Sequence, residues 1–232
     1  MTRSIRSLFV TALAALAILV PATALAADNT VYVVHGIPGA VVDVYVNGGL
    51  ALEDYTFGTV VGPLALPPGN YTVEVFLANS NPTASEAIIR LDDAELSGGL
   101  NLSLVAALTP GGIPAILPFV NDVSPVMPNF GRLGLRHAAD APAFFINARG
   151  LARVNFSNGS GIDLDVLART YTLPFALFNG GNGMPIMGPE FLTVKTGTFT
   201  IGYVVGSAPE GNLSLVTQEI PLDTMKAPRA RR

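Results

Sequence analysis

The stretch VHGIPGAVVDVYVNG, residues 34–48, decides the fold of this chain. In its strand-like part, VVDVYV at residues 41–46, every second side chain is valine, whereas Asp43 and Tyr45 point to the opposite face of an extended chain. This period of two predicts a β-strand with one buried face. The Asn47-Gly48 dipeptide that follows tolerates the positive φ angles of a tight hairpin and therefore ends the strand.

The same pattern continues along the chain, with strand-length runs of Val, Leu, Thr, Tyr and Phe between clusters of Gly and Pro. No long stretch has helical periodicity, so an all-β fold is predicted. In the run at 71–77, Tyr71, Val73, Val75 and Leu77 are predicted to face inward. Seven strands are predicted in the first half, at residues 31–34, 41–46, 50–52, 64–66, 71–77, 87–91 and 101–108. Seven strands in about 90 residues is typical of an immunoglobulin-like sandwich.

The second half repeats this plan in the same order. The matches pair Leu133–His137 with Tyr32–His35, residues 143–150 with the strand ending at Asn47-Gly48, Tyr171-Thr172 with Tyr71-Thr72, and NLSLV at 212–216 with NLSLV at 101–105. Nearly constant offsets indicate a duplication. We therefore expect two tandem immunoglobulin-like antiparallel β-sandwich domains, residues 27–120 and 132–222, joined by a short linker at 121–131 and sharing an interface.

The N-terminal residues 1–26 have the features of a secretory signal peptide. Arg3 and Arg6 precede an uncharged apolar run at residues 8–20, and Ala24-Leu25-Ala26 offers a cleavage site after Ala26. As a helix the run rises roughly 20 Å, short of the ~30 Å hydrocarbon core that a retained anchor would have to cross. The expected protein is secreted, periplasmic or at the cell surface, with no stable membrane insertion after cleavage.

Composition narrows the classes of function. The chain has no cysteine, which excludes disulfides, thiol catalysis and zinc-thiolate sites. Between Asp28 and Glu95 the sequence has nine carboxylates and a single cation, Arg90. This acidity disfavours nucleic acid as a partner. The basic tail at 223–232, with Lys226 and three arginines, is interpreted as a solvated end.

The motifs VHGIPGAVVDVYVNG at 34–48 and PPGNYTVEV at 67–75, followed by a strand around residues 101–104, resemble the bacterial extracellular family called domain of unknown function 4397. The second half is similar to a diverged copy, in which Phe145 and Asn147 stand where the family usually has Asp and Tyr. The resemblance implies a secreted β-sandwich, often in tandem. It implies no established activity, no catalytic residues and no cofactor.

The two histidines, His35 and His137, stand at equivalent places in the two halves, each at a strand end before a turn. Imidazoles can bind metals or act as general bases. A ring nitrogen can equally hold the backbone of the turn, and the duplication favours this structural role because each copy of the fold would need it.

The carboxylates offer weaker candidates for chemistry. Asp43 projects from a valine-rich strand, with Glu53 and Asp54 across a predicted hairpin, so an acid pair is conceivable there. Asp92-Asp93-x-Glu95 and Asp163-x-Asp165 could supply oxygen ligands to calcium, although neither follows the complete calcium-loop pattern. A solvated strand face is the favoured interpretation of all of them. No catalytic, metal-binding or cofactor-binding residues are predicted.

Two apolar features remain as candidate contact surfaces. Phe144 and Phe145 are adjacent, so one of them is expected at the contact between domains or in an exposed patch. The segment NGGNGMPIMGP at 179–189 is predicted to be a long loop whose tip, Met184 to Met187, is tucked under the sandwich or offered to a partner, with the tucked arrangement favoured.

Together these features predict an exported, non-enzymatic structural or interaction protein with an envelope or extracellular protein or glycan as its partner. The alternative is a module that binds a small ligand or a carbohydrate. Catalytic motifs such as Gly-x-Ser-x-Gly and His-Glu-x-x-His do not occur in the sequence.

Overall fold

In the computed structural model, residues 26–146, 154–177 and 184–225 are described, and they form sixteen β-strands in four four-stranded sheets. The predicted all-β fold of two tandem sandwiches is confirmed. Within these ranges no helix occurs that could cross a membrane. The predicted signal sequence, apart from Ala26, and the tail from residue 226 lie outside the described residues.

The first sandwich contains strands β1 to β8. They are β1 Asn29–His35, β2 Val41–Val46, β3 Gly49–Thr56, β4 Val60–Leu66, β5 Gly69–Leu77, β6 Ile89–Leu96, β7 Asn101–Thr109 and β8 Ile113–Val120. One sheet has the order β4-β1-β7-β8 and the other β3-β2-β5-β6. The predicted antiparallel pairing is present at every pair of this sandwich except one, because β1 and β7 run parallel, with His35 opposite Ala106.

The second sandwich contains strands β9 to β16. They are β9 Phe130–Asp140, β10 Phe144–Ile146, β11 Val154–Phe156, β12 Gly161–Leu167, β13 Arg169–Leu177, β14 Met184–Val194, β15 Thr198–Ser207 and β16 Ser214–Pro221. Its sheets, β12-β9-β15-β16 and β11-β10-β13-β14, repeat the order of the first sandwich strand for strand. The parallel pair recurs too, since β9 and β15 align with His137 opposite Val204.

The register of the strands corrects one of the sequence matches. NLSLV at 101–105 lies in β7, whereas NLSLV at 212–216 runs into β16, the counterpart of β8. The true counterpart of Ala106 is Val204, because each lies opposite the histidine of its own sandwich. The identical pentapeptides are therefore coincidental, although the duplication itself stands.

Strand β8 is an eighth strand that the sequence pattern did not predict. It carries Pro114 and Pro118, and proline is normally a reason to reject a strand because it cannot donate a hydrogen bond. Here β8 is at the edge of its sheet and pairs only with β7, so the missing donors cost nothing in the ladder.

The two sandwiches share a buried interface between the sheets that contain β1 and β9. The side chains of Tyr32, Val34, Val105, Ala107 and Phe119 pack against Ala138, Phe199, Ile201, Tyr203 and Val205 of the second sandwich. The backbone comes close at Gly36, where a Cβ atom would lie 2.7 Å from Cγ1 of Val205. The molecule therefore has four layers of sheet, and the predicted contact between the two units is present.

Polar contacts cross the same interface. Ser103 donates to Oε1 of Gln218 at 3.0 Å. Asp140 accepts the backbone N–H of Gly111 at 3.0 Å, and Asn158 donates to the carbonyl of Leu108 at 3.3 Å. Because these partners come from different sandwiches, they fix the relative orientation of the two units.

The segment between β8 and β9 contacts residues of the second sandwich along its length. Arg132 donates to the carbonyls of Asp122 and Ser124, and Val126 forms a parallel bridge with Thr224. The side chain of Val126 is fully buried in the interface. The predicted linker region is thus part of the folded body.

Candidate functional site: an apolar cavity in the first sandwich

A cavity of about 590 Å³ lies between the two sheets of the first sandwich. That volume is within the range of small-molecule binding sites. Residues from all eight strands and from the turn before β7 line it, among them Val33, Val44, Leu52, Val73, Leu102 and Leu104. The lining is almost entirely aliphatic, so the cavity is suited to a hydrocarbon.

The polar atoms of the lining tyrosines are already occupied. The Tyr55 hydroxyl donates within its own sandwich, to the carbonyl of Val33 at 2.6 Å or of Thr59 at 2.8 Å, and burial raises its pKa to about 12. The Tyr71 hydroxyl donates to the carbonyl of Pro67 at 2.7 Å. Both tyrosines therefore present aromatic carbon to the cavity.

One end of the cavity is closed and another reaches solvent. At the end next to the turn after β1, Val75 and Ala106 are buried among core residues. Among the lining residues, Ala51, Ala65 and Glu95 are exposed to solvent. Glu95 is the one charged residue among the described residues that line the cavity, and it lies between Ala94 and Leu96, which face inward, so its carboxylate points to the outer face of β6.

The second sandwich has larger side chains at the corresponding places, as the strand registers show. Ala94 lies opposite Tyr71, and Leu192 lies opposite Tyr171. By the same comparison Val31, Val42 and Val73 correspond to Leu133, Phe144 and Leu173. All of these larger side chains are buried in the core of the second sandwich.

At Leu104 the difference in size is reversed, because the counterpart of Leu104 in the second sandwich is Gly202. A Cβ atom on Gly202 would lie 3.5 Å from Leu192 and 3.4 Å from Leu135. The leucines of the second sandwich thus occupy the space that a larger residue at 202 would need. Small inward residues on several strands, above all Ala94, leave room for the cavity in the first sandwich.

Both histidines hold turns, as predicted from their positions. Nδ1 of His35 accepts the N–H of Ile37 at 3.2 Å, and its Nε2 donates to the carbonyl of Ala40 at 3.2 Å. His137 repeats this with Ala139 and Pro142 at 3.4 and 3.3 Å. Both rings are fully buried, and burial lowers the pKa of both imidazoles, which keeps them neutral.

Four of the candidate carboxylates are engaged in structural contacts, whereas Glu53, Asp54, Asp93 and Glu95 are exposed. Oδ1 of Asp43 accepts the N–H of Asp54 at 2.9 Å, which joins β2 to the bulged strand β3. Asp163 lies 2.6 Å from Arg136, and Asp165 lies 2.7 Å from Arg132. Arg90 pairs with Asp92 at 3.0 Å. No cluster of three potential metal ligands occurs in the described ranges.

The two apolar candidates differ from expectation in part. Phe144 and Phe145 are 1% and 8% exposed, which rules out the exposed patch as one of the two predicted alternatives. For Phe144 the contact between domains is ruled out as well, because its ring lies in the core of the second sandwich and stacks on His137 at 4.5 Å. The predicted loop ends earlier than expected, because β14 starts at Met184. Ile186 and Met187 pack against the core of the second sandwich, as the tucked arrangement requires, while residues 178–183 lie outside the described residues.

The cavity itself was not predicted from the sequence. The one feature of the sequence that could have indicated it is the small size of inward residues such as Ala94, compared with the larger Leu192 at the equivalent position of the second half. That comparison needs the register of β6, which contains an irregularity opposite Tyr71 and Val73.

Comparison with known proteins supports the family resemblance. A family model described as Domain of unknown function (DUF4397) matches residues 29–147, which extend from the first residue of β1 to just beyond β10 and make up about half of the chain. No curated protein matches the chain. On this match, and on the fold that it spans, the chain belongs to the DUF4397 family.

Proposed function

We propose that this chain is an exported, non-enzymatic protein whose first sandwich binds a small apolar molecule. The observation that carries the proposal is the 590 Å³ cavity with its aliphatic lining. Export rests on the signal-like N-terminal sequence. Burying an alkyl group in such a cavity is favourable by about 0.8 kcal/mol for each methylene removed from water.

The polar residues of the fold support a binding role rather than a catalytic one. His35 and His137 use both ring nitrogens on backbone groups, and a general base needs a free ring nitrogen beside its substrate. Asp43 accepts the N–H of Asp54. These side chains maintain turns and strands and do not face the cavity as a reactive group.

An apolar ligand fits the lining better than a carbohydrate. Sugar hydroxyls buried without hydrogen-bond partners carry a large desolvation cost. The Tyr55 and Tyr71 hydroxyls already donate to backbone carbonyls, so they are poorly placed to supply those partners. An alkyl chain makes no such demand.

Thermal unfolding in the presence of decanol tests the proposal. A ligand that binds only the folded state raises the melting temperature with concentration by mass action. Ala94→Leu is the matched control, because it places in the first sandwich the side chain found at Leu192 in the second. We expect decanol to stabilise the wild type and to have little effect on Ala94→Leu. Equal stabilisation of both proteins, or none of the wild type, would refute the proposal.

A structural or interaction role is the second candidate, and one observation favours it. The edge strand β8 exposes Ile113 and Val120 by 62% and 64% on a body held rigid by the interface. Large apolar side chains at a sheet edge are a frequent feature of contact sites. Cross-linking in envelope fractions should yield a defined product that Val120→Asp abolishes; a product that survives this substitution would argue against β8 as the contact.

A further inference from the structure

The dimensions of the cavity carry an inference about the shape of its ligand, and this inference rests on the proposed function. Inward-facing residues from all eight strands of the first sandwich line the cavity, so it extends across the four strands of each sheet. With neighbouring strands about 4.8 Å apart, four strands make the cavity about 14 Å wide.

The length of the cavity follows from the residues that line it on a single strand. On β7 these residues are Leu102, Leu104 and Ala106, which span four residue steps or about 13 Å of extended chain. On β2 the lining extends over the same span, from Val42 to Val46. The cavity is therefore about as long as it is wide.

The third dimension of the cavity, measured from one sheet to the other, is much smaller. A volume of 590 Å³ spread over this width and length leaves a gap roughly 3 Å thick between the side chains of the two sheets. That is about one layer of carbon atoms, because non-bonded carbons in contact lie about 3.5–4.0 Å apart. The cavity is thus a flat slot between the sheets.

We infer that this slot binds a flat, apolar molecule with a fused-ring skeleton, which lies parallel to the two sheets. Such a skeleton fills the width and the length together and is still one layer thick. A single alkyl chain fills only part of the width, and it loses torsional freedom when it is held there. A globular cage is thicker than the gap and has to push the side chains of the two sheets apart.

Three alcohols with the same number of carbons test this assignment, because they differ in shape: trans-decahydronaphthol is flat, decanol is linear and adamantanol is globular. Calorimetric titration of the mature protein gives the affinity for each alcohol. Division by the octanol–water partition coefficient corrects each affinity for the hydrophobicity of the molecule. We expect the corrected affinity to be highest for decahydronaphthol, about tenfold lower for decanol and lowest for adamantanol. Decahydronaphthol and adamantanol are both rigid, so the difference between them reports shape alone.

Leu104→Ala changes the thickness of the slot in the middle of β7. The equivalent residue of the second sandwich is Gly202, so the fold accommodates a small side chain at this position. We expect Leu104→Ala to raise the corrected affinity for adamantanol by about fivefold and not to raise that for decahydronaphthol. Leu50→Ala is the matched control, because Leu50 is exposed on β3 and does not line the cavity, and it should leave all three affinities unchanged.

The outcomes separate this inference from the proposed function. If decanol binds but the corrected affinities of the three alcohols are equal, or adamantanol or decanol has the highest, the flat fused-ring ligand is wrong while binding of apolar molecules stands. Equal effects of Leu104→Ala on adamantanol and decahydronaphthol would also contradict a slot one layer thick. If none of the three alcohols binds, both the inference and the proposed function are wrong.

Discussion

Ala94 and Leu192 occupy the same place in the two copies of one fold, and the difference between them has a measurable consequence. Replacing Ala94 by Leu adds three carbons to a space that the first sandwich leaves open. We expect Ala94→Leu to raise the free energy of unfolding by about 1–2 kcal/mol, because it buries more apolar surface without displacing a neighbour. Denaturant unfolding with a fixed m-value measures this.

The reciprocal change, Leu192→Ala, should lower the free energy of unfolding by about 2–5 kcal/mol, since Leu192 is buried in a filled core. Stabilisation by Leu192→Ala, or strong destabilisation by Ala94→Leu, would contradict the assignment of open and filled sandwiches.

The two buried histidines predict a dependence of stability on pH. Burial lowers the pKa of His35 and His137 below the ordinary value of 6.5. Below pH 6.5 the unfolded chain therefore binds protons that the folded chain does not, and stability falls as the pH decreases, by at most about 1.4 kcal/mol per pH unit for each histidine.

Melting temperatures measured between pH 7.5 and pH 5 check this expectation. The double variant His35→Gln, His137→Gln should be less stable at pH 7.5 but less sensitive to pH across this interval. A wild-type melting temperature that stays constant from pH 7.5 to pH 5 would show that the imidazoles are not buried as neutral rings.

At the level of single residues, the sequence was sufficient where the signal was local. The turn-holding role of His35 followed from its place before a Pro-containing turn, and its ring bonds two backbone groups of that turn. The inward direction of Ala94 could not be predicted. The irregularity in β6 breaks the period of two, so that Leu91, Ala94 and Leu96 all line the cavity, and the predicted strand ended at residue 91.

Between strands, Asp43 joins β2 to β3 in a way that can be tested. Its carboxylate accepts the N–H of Asp54, a residue with a positive φ of 49° in the bulged part of β3. We expect Asp43→Ala to cost about 1–2 kcal/mol of stability, because a mostly buried hydrogen bond is lost. Chemical denaturation measures the loss.

Glu53→Ala is the matched control for this substitution, because it removes an exposed carboxylate of the same hairpin and should change stability by less than about 0.5 kcal/mol. Equal effects of the two substitutions would show that the contact between Asp43 and Asp54 contributes nothing.

Strand assignment from sequence succeeded where alternation was clear and failed where local and tertiary signals disagree. The strand VVDVYV alternates and was assigned with its observed bounds. Strand β8 was missed because Pro114 and Pro118 are tolerated only at a sheet edge, and edge position is a property of the fold. The identical NLSLV segments led to a wrong match because the pairing of the strands places them in non-equivalent strands. That pairing cannot be read from the sequence.

On the scale of the whole molecule, the interface predicts that the two sandwiches unfold together. It includes buried side chains from both units and hydrogen bonds such as that between Ser103 and Gln218. Calorimetry should show a single transition whose van't Hoff and calorimetric enthalpies agree.

Ile201→Ala, which removes a fully buried side chain of the interface, should lower the melting temperature without splitting this transition, at a cost of about 2–5 kcal/mol. Two separate transitions in the wild type would mean that the interface does not couple the units.

The same interface explains why only part of the architecture followed from the sequence. Duplication and approximate strand number were visible in repeated motifs. In the sequence, nothing distinguishes the outward faces of β1 and β7 from those of other strands. Only the structure shows that Tyr32 and Val105 are buried together with Tyr203 and Ile201 of the other copy. Because the interface stabilises the first sandwich from outside, that sandwich can remain folded with a cavity in its core.

Methyl-detected NMR during titration with decanol tests the central claim most directly, because the second sandwich serves as an internal control in the same molecule. We predict saturable shifts of the methyl groups of Val33, Val44 and Leu104 in the cavity, while those of Leu133, Leu173 and Leu192 stay unchanged. Shifts of equal size in both sandwiches, or shifts confined to exposed methyl groups such as those of Ile113 and Val120, would contradict a binding cavity in the first sandwich.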